Sequence, residues 1–443
     1  MDYDPYRNRE TKNLGYCGAF MNMVKCLFGT GILASPLAFR NVGWLMGFLA
    51  SAAVVAIMTI SVHILIRGMV EVSRRRQVPY MSFQKAMCEG LMEGPEWLHR
   101  NRVIAEYFVL FFMLGFYFGV GSVYVVFIAD SVNKLLEHYW SIELDSRLIM
   151  CLEIIPLTMI FMIRRLKALV PFSALANVLL FSALIAIMGY IIVDGDMPAL
   201  EEREAINDLA EMPLFVGTIL FGCSSLGVFL AIESDMIKPK QFISKFGVLN
   251  AGMLINYLTM GLFAFLGYWK FGDALEGSIT LNIPDDIILS QVITITYILA
   301  VFITYPLQCY VIVDILWING AATKYPSEQH LWRETVLRCF IVMTTVLVAI
   351  CIPKFDLILS LVGCVTVTIL SISFPAVLDI CLRFTSDFGP YKIYLWRDLF
   401  LLIFGVACCI SGMIGAILDI MGSGGDYAVD FEKAYNISLK TIA

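Results

Sequence analysis

Two short runs of small residues interrupt long apolar segments of this sequence. The first run covers residues 28–32 (FGTGI) and the second covers residues 221–227 (FGCSSLG). Glycine and serine loosen a helix, and an unwound turn exposes backbone N–H and C=O groups that lipid does not hydrogen-bond. Such backbone persists only against protein or a water-filled cavity, and a polar ligand can also supply the missing partners. The two runs therefore predict paired breaks that bind a small polar molecule.

The residue types at the breaks indicate the ligand. An exposed half-helix N-terminus favours a carboxylate, whereas the carbonyls that end the preceding half-helix favour an ammonium group. For the carboxylate we select Gly29, Thr30 and Gly31, and for the ammonium group Phe221, Gly222, Ser224 and Ser225. A molecule with both groups is an α-amino acid. The alternative for the glycines is close packing between membrane helices.

The composition indicates a membrane protein with many spans. Hydrophobic residues make up 59% of the chain, charged residues make up 15%, and the mean hydropathy is +0.80. About 20 apolar residues cross the hydrocarbon core as a helix. Eleven spans are predicted, at 17–38, 43–66, 103–128, 148–163, 170–193, 213–233, 247–269, 287–317, 337–353, 357–380 and 398–420.

Basic residues set the orientation, because they accumulate in cytoplasmic loops. They are concentrated on the side of the N-terminus, for example at Arg7, Arg9 and 74–76. We therefore expect a cytoplasmic N-terminus and an extracellular C-terminus, where Asn436 begins a glycosylation sequon. Plasma membrane and lysosomal membrane both remain open as locations.

The spacing of the two breaks predicts an internal repeat. They fall in the first and sixth spans, which implies two repeats of five spans, the second inverted in the membrane, plus one further helix. The expected segments are a cytoplasmic N-terminus (1–16), a first repeat (17–193), an extracellular acidic loop (194–212), a second repeat (213–380), a loop with the eleventh helix (381–420) and an extracellular tail (421–443).

The chain resembles the proton-coupled amino acid transporter family, within the amino acid/auxin permease superfamily, and its invertebrate members in particular. The resemblance is carried by residues 28–43 (FGTGILASPLAFRNVG), 277–284 (GSITLNIP) and 354–363 (KFDLILSLVG). It implies an all-α fold of eleven spans with the leucine-transporter-type inverted repeat. It also implies small neutral amino acids as substrates.

Two departures from this family concern the driving force. The resemblance implies a His and a Glu at the places that Asn22 and Ser224 occupy here. Neither substitute titrates, whereas a His exchanges protons near neutral pH. These replacements leave it open whether protons accompany the amino acid.

Other ionisable residues lie within or near the spans. Lys25 is expected either to extend toward the cytoplasm or to form a gating or coupling pair with Asp314. His63 is interpreted as a histidine whose hydrogen bonds are satisfied near a helix end. Glu153 is expected to be solvated near the end of its span.

The leading hypothesis is a secondary active or facilitative transporter of small neutral amino acids that works by alternating access. The alternative is an amino-acid sensor that signals from the same site. No catalytic motif is found, so an enzyme is not expected, and cysteine, histidine and carboxylate spacings predict no metal or cofactor. The expected partners are the small neutral amino acid, the lipid bilayer and, if transport is proton-coupled, protons, without nucleic acid.

Overall fold

The computed structural model of this chain is built from helices. It describes residues 3–9, 14–100, 102–142, 144–164, 166–193, 197–207, 209–284, 287–321, 326–384 and 388–442. The helices are α1 (Tyr16–Leu27), α2 (Gly31–Val42), α3 (Trp44–Arg75), α4 (Phe83–Leu91), α5 (Glu96–His99), α6 (Arg102–Trp140), α7 (Ser146–Phe161), α8 (Leu166–Val193), α9 (Met212–Gly222), α10 (Leu226–Asp235), α11 (Val248–Phe271), α12 (Ile279–Asn282), α13 (Ile288–Val313), α14 (Ser327–Cys351), α15 (Phe355–Val362), α16 (Phe374–Phe384) and α17 (Ile393–Ile442).

Both predicted helix breaks are present. Helix α1 ends at Leu27 and α2 begins at Gly31, with a bend of 58° between them. Helix α9 ends at Gly222, and α10 begins at Leu226. Glycines and serines at these positions favour interruption, because they lose more freedom in a helix or offer competing hydrogen bonds.

The described residues contain nine segments that are long and apolar enough to cross a membrane. The bent pair α1–α2 raises this number to ten if it forms one span. Helix α7 has 16 residues, which is shorter than the about 20 that a span needs. The count of eleven and the inverted repeat stay predictions.

Several helices extend beyond the predicted membrane spans. Helix α3 continues to Arg75 and α6 continues to Trp140, well beyond the predicted ends at 66 and 128. Hydropathy marks the end of an apolar run. A helix can continue beyond that point with polar side chains in water, because its backbone hydrogen bonds are unchanged. Helix α17 runs to Ile442 and so includes most of the predicted tail, although the side chain of Asn436 lies outside the described part.

The core lies around α2 and α9. Helix α2 packs against α9 and α11, and α9 also packs against α15. Gly217 of α9 faces the backbone of Ser360, which permits close approach of α9 to α15. Between α15 and α16 the chain forms two π-helical turns, Gly363–Val367 and Ile369–Ser373. This packing holds α2 and α9 firmly on one side of the two breaks.

Candidate functional site

The two breaks lie directly against each other. A Cβ atom placed on Gly31 would be 2.8 Å from the Cα of Gly222, so Gly31 has no room for a side chain. At the end of the second break, the Ser225 hydroxyl donates a hydrogen bond of 3.1 Å to the Cys26 carbonyl oxygen. The sequence identified both breaks, and the tertiary structure places them in contact.

Each break exposes backbone donors at the start of a half-helix. At the first break the amides of Ile32 and Leu33 donate to the carbonyls of Gly29 and Thr30. Among the described residues, the amides of Thr30 and Gly31 have no backbone acceptor. These amides stand at the positive end of the α2 dipole, which suits an anionic group.

The carbonyl groups beside the breaks have long hydrogen bonds. The Gly222 carbonyl accepts from the Asn256 side-chain amide at 3.3 Å, and Asn256 is 1% exposed. The Cys26 carbonyl accepts from Ser225 as described above. Both oxygens therefore have neutral donors that an ammonium group is able to replace.

A small cavity of about 60 Å³ lies at the breaks. The lining residues that were not predicted come from α1, α6, α10 and α13. For those of α6 and α13, the available sequence signal was a polar side chain within an apolar span. The residues that line the cavity, none of them charged, are Cys26, Leu27, Gly29, Thr30, Gly31, Phe116, Tyr117, Val120, Tyr124, Phe221, Gly222, Ser224, Ser225, Val228 and Gln308. All seven residues that the sequence selected for the ligand are in this set.

A larger cavity of about 1270 Å³ shares eight lining residues with the small one, among them Gly29, Thr30 and Ser225. It extends toward the end of the molecule that carries the N-terminus, where Leu14 and Lys85 line it. We call it the inner cavity.

The inner cavity also contains the three residues that the sequence selected for coupling or gating. Asn22 and Lys25 of α1 line one wall, and Asp314 lies in the wall beyond α13. The structure thus brings Asn22, Lys25 and Asp314 to one cavity, although it places them outside the small cavity at the breaks. The pairing of Lys25 with Asp314 stays a prediction.

A separate cavity of about 840 Å³ lies at the opposite end of the molecule. Its lining includes Arg40, Asp130, Lys134 and Asp356, and we call it the outer cavity. None of its lining residues also lines the small cavity at the breaks. The close packing of α2 and α9 described above lies between the two.

The N-terminal segment binds the far end of α10. The Arg9 guanidinium donates to both carboxylate oxygens of Glu233, at 2.9 and 3.0 Å, and it also donates to the Pro79 carbonyl. The Arg9 and Glu233 side chains are 10% and 4% exposed. The sequence predicted a cytoplasmic terminus here and indicated none of these contacts.

A second ion pair belongs to the same segment. Lys240 lies 3.0 Å from Asp4, and the hydrogen bond from its ammonium group lowers the pKa of the Asp4 carboxyl. This pair is more exposed than the Arg9–Glu233 pair, so it is screened by solvent.

His63 and Glu153 differ in how far their polar atoms are satisfied. The Nε2 atom of His63 lies 2.7 Å from the Oδ1 atom of Asn250, which satisfies one of its two ring nitrogens, and His63 lies well inside α3 rather than near its end as expected. Its Nδ1 atom is buried and has no partner in the described residues. Glu153, expected to be solvated, is only 7% exposed, so that expectation was wrong.

Comparisons with known proteins identify the family of this chain. The family model described as "Transmembrane amino acid transporter protein" matches residues 12–418. The Drosophila melanogaster "Proton-coupled amino acid transporter-like protein pathetic" is 30% identical, over 95% of this chain and 88% of that protein. The Caenorhabditis elegans "Probable amino acid transporter skat-1" is 25% identical, over 91% of this chain and 90% of that protein.

Two solved structures share the fold. MhsT in complex with L-phenylalanine has a TM-score of 0.52 and 14% identity, covering 92% of this chain and 99% of its own. Mhp1, a nucleobase-cation-symport-1 family transporter, was solved in a closed conformation with bromovinylhydantoin bound. It has a TM-score of 0.51 and 13% identity, covering 94% of this chain and 93% of its own. At these identities the likeness concerns the leucine-transporter-type fold alone.

The family match covers nearly the whole chain, and the relatives are named transporters rather than enzymes. The chain is therefore a multi-pass integral membrane protein that belongs to the transmembrane amino acid transporter family.

Proposed function

We propose that this chain transports small neutral amino acids by alternating access, with the two apposed breaks as the substrate site. The observation that carries the proposal is the contact between Gly31 and Gly222, which brings two half-helix ends to one small cavity. One substrate is then within reach of backbone donors and backbone acceptors at the same time.

The substrate's two charged groups have separate partners in this proposal. The carboxylate binds the amides of Thr30 and Gly31 at the start of α2, where the helix dipole is positive. The ammonium group binds the carbonyls of Cys26 and Gly222, replacing the donors Ser225 and Asn256. Hydrogen bonds to charged groups are stronger than those between neutral groups, which favours this exchange.

The lining of the small cavity supports a preference for neutral side chains. A charged substrate side chain would lose its hydration there without gaining an opposite charge. Aromatic residues of α6 and the second break, including Phe116, Tyr117 and Phe221, limit the space beside the backbone groups. The volume of about 60 Å³ favours glycine, alanine and other small substrates.

Alternating access is supported by a difference between the two sides of the small cavity, one open and one closed by packed helices. The small cavity adjoins the inner cavity, whereas the packing of α2, α9 and α15 lies toward the outer cavity. We propose that α1 and α10 move relative to the other helices, as two inverted five-helix repeats would allow. The bias of basic residues places the N-terminus and the inner cavity on the cytoplasmic side.

Uptake of radiolabelled alanine, glycine and proline tests this function. Cells or liposomes containing the protein should take up these amino acids faster than matched controls without it. Unlabelled serine should compete, whereas lysine and glutamate should compete far less. Rates equal to the controls across a broad panel of amino acids would contradict the proposal, and efficient competition by lysine would contradict the preference for neutral substrates.

A further inference from the structure

Glu153 is a buried carboxyl group in the middle of α7. Its side chain lies on the face that α7 turns toward the core, together with Ile149, Met150 and Leu157. Both carboxyl oxygens are buried, and neither has a hydrogen-bond partner among the described residues. A carboxylate without a cation or donor is very costly in such surroundings, whereas the protonated acid is tolerated.

Within the described part of the chain, no basic residue near Glu153 is placed to neutralise its charge. Of the titratable groups around Glu153, helix α6 contributes Asp130, and α13 contributes Tyr305. On α14 the nearest basic residue is Arg338, which donates to the Phe161 carbonyl and to Glu334. Phe161 lies eight residues beyond Glu153, about 12 Å along the helix, so Arg338 is not a partner for Glu153.

Two polar residues, Asp130 and Ser146, lie toward the outer cavity from Glu153. Asp130 lines that cavity, and one of its carboxyl oxygens accepts a hydrogen bond of 3.3 Å from the Ser146 hydroxyl. Ser146 begins α7 two helical turns before Glu153, on nearly the same face and about 10 Å away along the axis. Asp130 is also close enough to Glu153 for their charges to interact.

Tyr305 of α13 lies near Glu153 and belongs to a second group of buried polar residues. The Tyr305 hydroxyl, which is fully buried, is 2.8 Å from the Thr345 hydroxyl. The Thr345 carbonyl accepts from Ser122 at 2.9 Å. Gln308, three residues after Tyr305 on α13, lines the small cavity at the breaks.

We propose that Glu153 binds the proton that couples transport to a pH gradient, in place of titratable groups at Asn22 and Ser224. The inference rests on the proposed function. A proton enters from the outer cavity by way of Asp130 and forms the neutral acid of Glu153. When the helices rearrange, the same Glu153 oxygen loses this proton again. The step is a simple gain and loss of a proton, so no other reactant is needed.

The test is amino-acid accumulation by protein-containing liposomes under an imposed pH gradient. With one proton per substrate, a gradient of one pH unit supports about tenfold accumulation of labelled alanine. Wild type should accumulate alanine, whereas Glu153→Gln should reach equal concentrations only. The same variant should still exchange labelled for unlabelled alanine, because its side chain resembles the neutral acid. Glu201→Gln, at an exposed position, is the matched control and should behave as wild type.

Glu153→Asp provides a second measurement in case the glutamine variant does not fold. It keeps a carboxyl group in altered surroundings, so its pH of half-maximal uptake should shift from that of wild type. Accumulation by Glu153→Gln at the wild-type level would overturn the inference, as would identical pH profiles for Glu153→Asp and wild type. Wild type that exchanges alanine but ignores the gradient would overturn the inference and leave the proposed function intact. Wild type without exchange would overturn both.

Discussion

The Ser225 hydroxyl donates a hydrogen bond of 3.1 Å to the Cys26 carbonyl oxygen. This contact joins the start of α10 to the last turn of α1, although the two residues are far apart in the sequence. A bound ammonium group at Cys26 would replace the hydroxyl. The bond therefore links the occupancy of the proposed site to the relative position of two helices that are expected to move.

Ser225→Ala should lower the KM for alanine. In the proposed binding mode the ammonium group replaces the Ser225 hydroxyl at the Cys26 carbonyl, so the empty site loses about 1 kcal/mol of net interaction that the substrate otherwise has to replace, roughly a fivefold decrease in KM. The measurement is the concentration dependence of alanine uptake. Ser234→Ala, on the same helix with its hydroxyl bonded to the Ala231 carbonyl, is the matched control and should change uptake little. Equal uptake by the two variants would argue against a role for the Ser225–Cys26 bond.

Gly31→Ala should abolish most transport. The added Cβ would lie 2.8 Å from the Cα of Gly222 and would force the two breaks apart. Overpacking of this kind costs about 1–3 kcal/mol, so uptake should fall by about fivefold or more. Gly189→Ala on α8 is the control, since its Cβ would meet nothing within 4 Å. Uptake by Gly31→Ala at the level of Gly189→Ala would show that the breaks tolerate separation.

Arg9→Gln should destabilise the bound N-terminal segment. The substitution leaves Glu233 buried without its cation, and the loss of one member of a buried pair costs about 3–5 kcal/mol. Thermal unfolding and protease cleavage of the N-terminus should both report this loss.

The double variant Arg9→Gln/Glu233→Gln should recover much of the stability, because it removes both charges. A double-mutant cycle over the four proteins gives the coupling free energy. Additive effects of the two substitutions would contradict a direct Arg9–Glu233 interaction.

Arg338→Met should lower the thermal stability of the whole chain. Arg338 is 1% exposed, and its guanidinium donates to the Phe161 carbonyl and to Glu334, which connects α14 to α7. The expected cost is about 3 kcal/mol, because Glu334 loses its cation and the buried carbonyl loses its donor. Arg333→Met, which removes an exposed hydrogen bond to Gln329 on the same helix, is the control. A melting temperature of Arg338→Met equal to that of the control would contradict this role of Arg338.

The two breaks are predictable from the sequence, whereas some side chains were placed wrongly. Gly29, Gly31 and Gly222 are visible in the sequence, because small residues stand out inside a long apolar run. Glu153 was expected to be solvated, since it lies near the end of its predicted span. Its burial depends on the rotation of α7 and on the helices packed against it, which the distance to a span end does not specify.

The rest of the wall of the small cavity also depends on helix rotation, which the sequence does not specify. Tyr124 and Gln308 belong to spans that are apolar nearly throughout, and helix periodicity gives too weak a signal there to fix which side faces the cavity. Their position is known only once α6 and α13 are packed beside the breaks.

The sequence by itself determined the membrane class, the positions of both breaks and the family resemblance, because these depend on local composition and on the order of residues. Only the tertiary structure decided that Gly31 touches Gly222, that Arg9 reaches Glu233 and that Glu153 is buried without a partner among the described residues. Those relationships depend on how helices rotate and pack against one another. That packing is set by side-chain fit across the whole bundle rather than by any one segment.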